Sequence, residues 1–319
     1  MKRAVPVLSG VCAALCIVLC LMYPESVLSS ARDGFSLFVK SVLPALFPSF
    51  VLASVLAGSG LLTMLGRLFS PAMKWFNLPG EAGPLIFLGA VSGYPVGAKL
   101  TAQLYERGEI SLPAAERLCA VCNLASPMFL SGTLAAAVLH SARLGIVLIA
   151  SHWIGALAVL AAGVFTKKTA AKTASLPVQE NRDFSLTKSL LGSVSDGMSA
   201  MLRVCGAIML FSVLVAALRV SGILGIFSGA VSQLGVDRAL AEAMAAGFFE
   251  KTTGCAAVAS LSIGLPAKAA LCSFLDAFGG CSILLQTLFF LPVRPSRYWG
   301  YKLIQGGVAA LTALLLAGL

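Results

Sequence analysis

Charge is scarce in this sequence. Of 319 residues, 23 are Lys or Arg and 13 are Asp or Glu. Charged side chains thus make up 11% of the chain, where a soluble domain carries about 25%. A soluble globular protein is excluded on that ground. Catalytic signatures are missing as well: there is no H-E-x-x-H and no G-x-S-x-G. The sequence reads as no enzyme, and it calls for no metal and no bound cofactor. Long polar stretches are also lacking, save Thr166–Lys188, a Lys/Thr/Ala-rich linker.

What is present is apolar. Hydrophobic residues make up 58%, and the mean hydropathy is +0.93. Runs without Asp, Glu, Lys or Arg cover Ala4–Met22, Ser41–Leu65, Leu118–Leu139, Leu144–Phe165 and Leu303–Leu319. Each is close to the ~20 residues a helix needs to cross a bilayer core. Lys2 and Arg3 precede the first run, which is too long for a secretory signal and lacks a small-residue cleavage site, so a retained helix is expected. The cysteines, at 12, 16, 20, 119, 122, 205, 255, 272 and 281, all sit in apolar runs. Cys119 and Cys122 stand at helical spacing and read as packing residues rather than a metal or redox site. The net charge of +10 is spread as loop punctuation and not gathered in a stripe, which argues for lipid as partner and against nucleic acid.

The chain repeats itself. Asp33-Gly34-Phe35-Ser36, with Lys40 following, recurs as Asp196-Gly197-Met198-Ser199 with Arg203 following. Each copy opens an apolar helix expected to end at a Ser-Gly pair, Ser59-Gly60 and Ser221-Gly222. A glycine-marked turn then comes in each half: SGYPVG at Ser92–Gly97 and EKTTG at Glu250–Gly254. An interrupted helix follows in each, broken at Asn123–Pro127 and at Asp276–Gly280. Suppose Gly83–Leu104 and Ala241–Leu265 are re-entrant hairpins and the N-terminus is cytoplasmic. Then 14 Lys/Arg fall inside, Lys302 and Lys188 among them, and four outside (Arg32, Arg143, Arg219 and Arg238). That bias follows the positive-inside rule and makes the two repeats inverted. The expected fold is an all-α polytopic membrane protein with two inverted repeats, re-entrant helical hairpins and broken transmembrane helices. Its parts are an N-terminal helix (1–30), repeat one (31–165), a cytoplasmic linker (166–190), repeat two (191–293) and a C-terminal helix (294–319).

The breaks carry the candidate chemistry, because backbone left unpaired at membrane depth must be buried in protein or line a cavity. In the first tip, Gly93, Pro95 and Gly97 enforce a turn, and a new helix is expected from Val96 with its amides facing the tip. Such a helix start attracts a carboxylate or phosphate. Tyr94 can stack on a ring and Ser92 can hydrogen-bond, or the turn is only a kink. In the second tip, Glu250, Lys251, Thr252, Thr253 and Gly254 lie together at a depth where ionised groups are costly and usually functional. Lys251 then attracts an anion while Glu250 takes a coupling proton or cation, or the two form a structural pair. Asn123 and Asp276 either cap half-helices or reach a ligand, with Ser126, Gly279 and Gly280 opening backbone toward it. Gln286 and Thr287 are weaker candidates. Lys99 and Lys268 either attract an anion or snorkel. His140 and His152 read as interface or packing residues, and Asp33/Lys40 and Asp196/Arg203 as ion pairs two helical turns apart.

These motifs resemble the sporulation integral membrane protein (YlbJ) family, within the group that carries a nucleoside-recognition, or Gate, domain. The resemblance rests on SGYPVGAK at Ser92–Lys99, on YERGEIS and AERLCAVCNLASP between Tyr105 and Pro127, and on E-x-T-x-G at Glu250–Gly254. It implies an architecture similar to concentrative nucleoside transporters, whose tips and broken helices enclose a solute. It also implies a cell-membrane transporter of a small anion, dipicolinic acid, at the outer forespore membrane during spore formation. A nucleoside-type solute and a non-transporting scaffold of a sporulation assembly are the alternatives. The coupling ion, proton or sodium, and a homo-oligomeric state stay open.

Overall fold

The computed structural model describes residues 4–165 and 185–319. Every regular element among them is helical. Helix α1 spans Ala4–Met22. Helix α2 spans Pro24–Gly58, 35 residues with a π-turn at Phe38–Val42. Pro44 accounts for that turn: it has no N–H to give and its ring crowds the carbonyl one turn back, so the chain widens before it. Gly60 takes φ 77° and starts α3, Leu61–Trp75. Then come α4 (Ala82–Ser92), α5 (Val96–Glu106), α6 (Leu112–Cys122), α7 (Phe129–Val138, π-wound) and α8 (Leu144–Ala162). The rest of the described chain is α9 (Leu186–Val220), α10 (Ile223–Ser232), α11 (Arg238–Phe249), α12 (Lys251–Ala259), α13 (Leu265–Phe278), α14 (Gly280–Leu288) and α15 (Pro295–Gly318).

Among the described residues, five stretches are long and apolar enough to cross a membrane: α2, α8, α9, α13 with α14, and α15. Their outer faces carry large apolar side chains, such as Ile146, Leu157, Leu202 and Leu311, all more than half exposed. The polar side chains are inside: Glu116, Asn123, Asp276, Thr287, Lys302 and Gln305 have no exposed surface. That inversion of the soluble pattern fits a lipid solvent. By contrast α4, α5, α11 and α12 have nine to twelve residues each. At 1.5 Å per residue the longest reaches about 18 Å, well short of the ~30 Å core. Helix α4 packs on α5 and α11 on α12, so each pair forms a helical hairpin. Helix α2 packs along α9, while α15 packs against α8 and α13.

Several expectations need correction. Asp33 and Asp196 do not open their helices: Asp33 sits inside α2 and Asp196 eleven residues into α9. The boundary at 31 therefore falls within a helix. The linker expected at 166–190 lies outside the described residues up to 184, and its last residues already belong to α9, capped by Ser185. The Asp–Lys/Arg pairs two turns apart do not form. Asp196 binds Lys99 instead, at 3.2 Å, and Arg203 lies over the rings of Phe289 and Phe290. In α2 the π-turn begins at Phe38, after Asp33, and includes Lys40, which shifts the helical register that would stack the two.

Candidate functional site

The two tips meet. At the first, α4 stops at Ser92, Gly93 adopts φ 88°, and the Tyr94–Pro95 peptide is cis. Helix α5 starts at Val96, whose amide donates to Gly93 O (3.0 Å). Gly97 is needed for close approach: a Cβ there would lie 2.2 Å from Cys122 O, at the break that follows α6. At the second tip, Glu250 is extended between α11 and α12, and its Oε2 accepts from the Thr253 amide (2.6 Å). Gly254 makes the matching approach, with a Cβ there only 2.2 Å from Gly247 Cα. These contacts tie each hairpin to itself or to the broken helix beside it.

Between the tips lies a cleft lined by Tyr94, Ser126 and Phe129 from the first half and by Glu250, Lys251, Thr252, Ile283 and Gln286 from the second. Helices α2 and α9 close its other side through Leu46 and Ile208. Its free volume is about 40 Å³. That is room for a few waters, since one needs roughly 10–15 Å³, and not for an organic solute. Lys251 Nζ sits 4.6 Å from the Tyr94 ring centroid and 4.4 Å from that of Phe129. Rings facing an ammonium in this way attract it through their quadrupoles.

Behind the cleft is a buried polar network. Lys251 Nζ donates to Asp276 Oδ1, and the Tyr94 hydroxyl donates to Asp276 O (3.1 Å). His152 Nδ1 lies 3.3 Å from Asp276 Oδ2. Neither atom makes a hydrogen bond. His152 Nε2 accepts from the Ala125 amide (3.1 Å), which puts the proton of the neutral ring on Nδ1. Asn123 Nδ2 donates to Thr287 Oγ1 (3.1 Å), while Asn123 Oδ1 is buried with no partner. Lys302 Nζ donates to Asn123 O (3.3 Å) and Gln305 Oε1 (2.6 Å). The break at Asn123 is thus bound to α14, the helix that follows the break at Gly279, from 164 residues apart.

Most of the sequence candidates gather here, with different duties. Tyr94, Ser126, Glu250, Lys251, Thr252 and Gln286 line the cleft. Ser92, Gly93, Pro95 and Gly97 shape the first tip. Asn123 and Asp276 stand behind the cleft, and Gly279 and Gly280 turn the chain at φ 80° and 68°. Thr253 contributes only its amide, to Glu250. Lys99 is the exception: it lines a separate groove of about 480 Å³, with Ser54 Oγ at 3.1 Å and Asp196. Lys268 caps α12 by donating to Ala259 O (2.6 Å) and binds no tip. Two residues were missed. His152 is no packing residue but the neighbour of Asp276. Lys302 is no loop cation but a fully buried one, in the middle of α15. Removing it leaves thirteen inner cations against four. Among the described residues no group of three His, Cys, Asp or Glu is placed to hold a metal.

The nucleoside-recognition (Gate) family profile matches residues 39–171. Sporulation integral membrane protein YlbJ of Bacillus subtilis (strain 168) is 30% identical, over 92% of this chain and 78% of that protein. Inner membrane protein YjiG of Escherichia coli (strain K12) is 32% identical over 65 residues, 20% of this chain and 42% of that protein. No solved structure matches the chain.

Proposed function

The chain belongs to the family of the sporulation integral membrane protein YlbJ, and from that premise we propose that it transports a small aromatic anion, dipicolinic acid, across the membrane of the forming spore. One observation carries this reading. Two helical hairpins, some 150 residues apart in sequence, bring Tyr94 and Lys251 into contact at one cleft. A buried ammonium between aromatic rings suits a planar ring bearing carboxylates: the charge meets the carboxylate and the rings stack. The amides of the first turn of α5 add to that attraction. Those of α12 do so once Glu250 leaves its cap.

Two inverted repeats with re-entrant hairpins belong to the same reading. Helices α2 and α9 both have 35 residues and both end at a Ser-Gly pair whose glycine is left-handed, at φ 77° and 78°. The same order follows in each half: a short helix, a hairpin, a broken helix and a long helix. A cleft of about 40 Å³ is then the closed state, between openings to either side.

The test is solute binding by the purified protein, with dipicolinate and a panel of nucleosides. Dipicolinate is expected to bind, and Lys251→Met to weaken it ten- to a hundredfold, the worth of a charge-assisted hydrogen bond of roughly 1.5–3 kcal/mol. Nucleoside binding without dipicolinate binding replaces the ligand. That second reading is favoured by the Gate match over residues 39–171. No binding of either removes the transport reading in favour of a scaffold.

A further inference from the structure

Asp276 is the point on which the buried ionisable groups converge, and solute binding alone gives them no task. Its carboxylate has no exposed surface and its two oxygens differ. Oδ1 accepts from Lys251 Nζ, the ammonium that also lines the cleft. Oδ2 has no hydrogen bond and faces the Nδ1 of His152, at 3.3 Å. His152 cannot take a second proton without losing the Ala125 amide from its Nε2. The other titratable groups turned toward Asp276 are already engaged or lie further off. The Tyr94 hydroxyl donates to the backbone oxygen of Asp276 and not to its side chain. Cys255 of α12 is held to Cys272, which lies one turn before Asp276 on α13. Lys302 of α15 is bound to Asn123 and Gln305. Glu250 stands next to Lys251 in the chain and is bound to the Thr253 amide.

We propose that Asp276 is the coupling-proton site, and that protonating it releases Lys251 to the carboxylate of the incoming solute. The inference rests on the transport reading above. In the resting state Lys251 neutralises Asp276. A solute carboxylate in the cleft competes with Asp276 for the same ammonium, and two anions sharing one cation leave a net charge in a low-dielectric interior, which is costly. One proton from the aqueous side removes the conflict. It takes Oδ1 as Lys251 leaves, while Oδ2 stays toward the Nδ1–H of His152. Lys251 keeps its charge throughout. The proton offsets the one solute carboxylate that Lys251 takes up, so the net charge of that carboxylate, Lys251 and Asp276 together stays what Lys251 and Asp276 had before. By linkage, each must then strengthen the binding of the other.

The experiment is calorimetric titration of the purified protein with dipicolinate in two buffers of different ionisation enthalpy, which counts protons taken up per solute bound. The wild type is expected to take up about one, with affinity weakening as pH rises by at most about tenfold per unit, the limit for one linked proton. Asp276→Asn is expected to bind with no proton uptake and a flat pH profile, and Glu250→Gln, whatever its affinity, still to take up about one proton per solute bound. An Asp276 that is only structural would lower the yield of Asp276→Asn and leave proton uptake in the surviving protein intact. That result, or dipicolinate binding by the wild type with no proton uptake, overturns the coupling role and leaves the transport reading standing. A wild type that binds neither dipicolinate nor a nucleoside overturns both. Should Asp276→Asn fail to fold, the infrared difference spectrum of the wild type decides instead. A protonated-carboxyl band must appear on dipicolinate binding and persist in Glu250→Gln, and its absence overturns the inference.

Discussion

Gly97 and Lys302 are single residues whose worth is set by what lies beside them. The space for a methyl group at Gly97 is filled by the Cys122 carbonyl, 2.2 Å away, and backbone cannot swing aside as a flexible side chain can. Gly97→Ala is therefore expected to cost several kcal/mol, in the range of an overpacked core or worse. Gly206, mid-helix in α9, has nothing within 4 Å of a built Cβ. Gly206→Ala should be neutral or stabilising by up to ~1 kcal/mol. Thermal midpoints of the two variants in the same detergent check the contrast, and equal midpoints would refute it. Lys302→Met orphans the Asn123 carbonyl and the Gln305 amide oxygen, each a buried acceptor. The expected cost is about 2–4 kcal/mol. Adding Gln305→Leu should recover part of it, because one of the two orphans disappears; a double variant no more stable than the single one would argue against this account.

Helix ends are where the sequence spoke most clearly. Ser59-Gly60 and Ser221-Gly222 were legible as stops because a left-handed residue after a helix is usually glycine, and both glycines take that conformation. The start at Val96 was legible because Pro95 has no N–H to continue the helix before it. Glu250 was read as solute- or ion-binding, and its role as the N-cap of α12 went unseen: which groups a side chain satisfies depends on how the turn closes. That role predicts a graded response. Glu250→Ala loses the cap and about 1 kcal/mol. Glu250→Gln keeps an acceptor oxygen for the Thr253 amide and should retain most of it. Denaturation midpoints that rank glutamine with alanine would show that the cap contributes little.

Over the whole molecule, the polar interior and apolar exterior follow from one condition, a solvent that cannot hydrogen-bond. The proposed orientation places the segment 166–188 in the cytoplasm, on thirteen inner cations against four outer ones. An engineered Ala174→Cys is accordingly expected to resist a membrane-impermeant maleimide in intact cells and to react after permeabilisation. Labelling in intact cells would reverse the orientation. The partly buried native thiols Cys16 and Cys20 lie within α1, so a background lacking them keeps the measurement clean.

Sequence by itself determined the helices, their stops and the two tips, because each depends on neighbours within a turn or two: apolar runs, a glycine that allows φ > 0, a proline that lacks a donor. Tertiary structure decided how the buried charges are used. Lys302 looked like one more loop cation, being next to an uncharged run, until Asn123, 179 residues away, was found to hold it inside. His152 looked like packing until Asp276 of the other half stood 3.3 Å from it. Asp196 binds Lys99 and not Arg203, the partner its spacing suggested. A charge in a low-dielectric interior must find its counterpart wherever the fold brings one, and no local pattern in the chain records where that is.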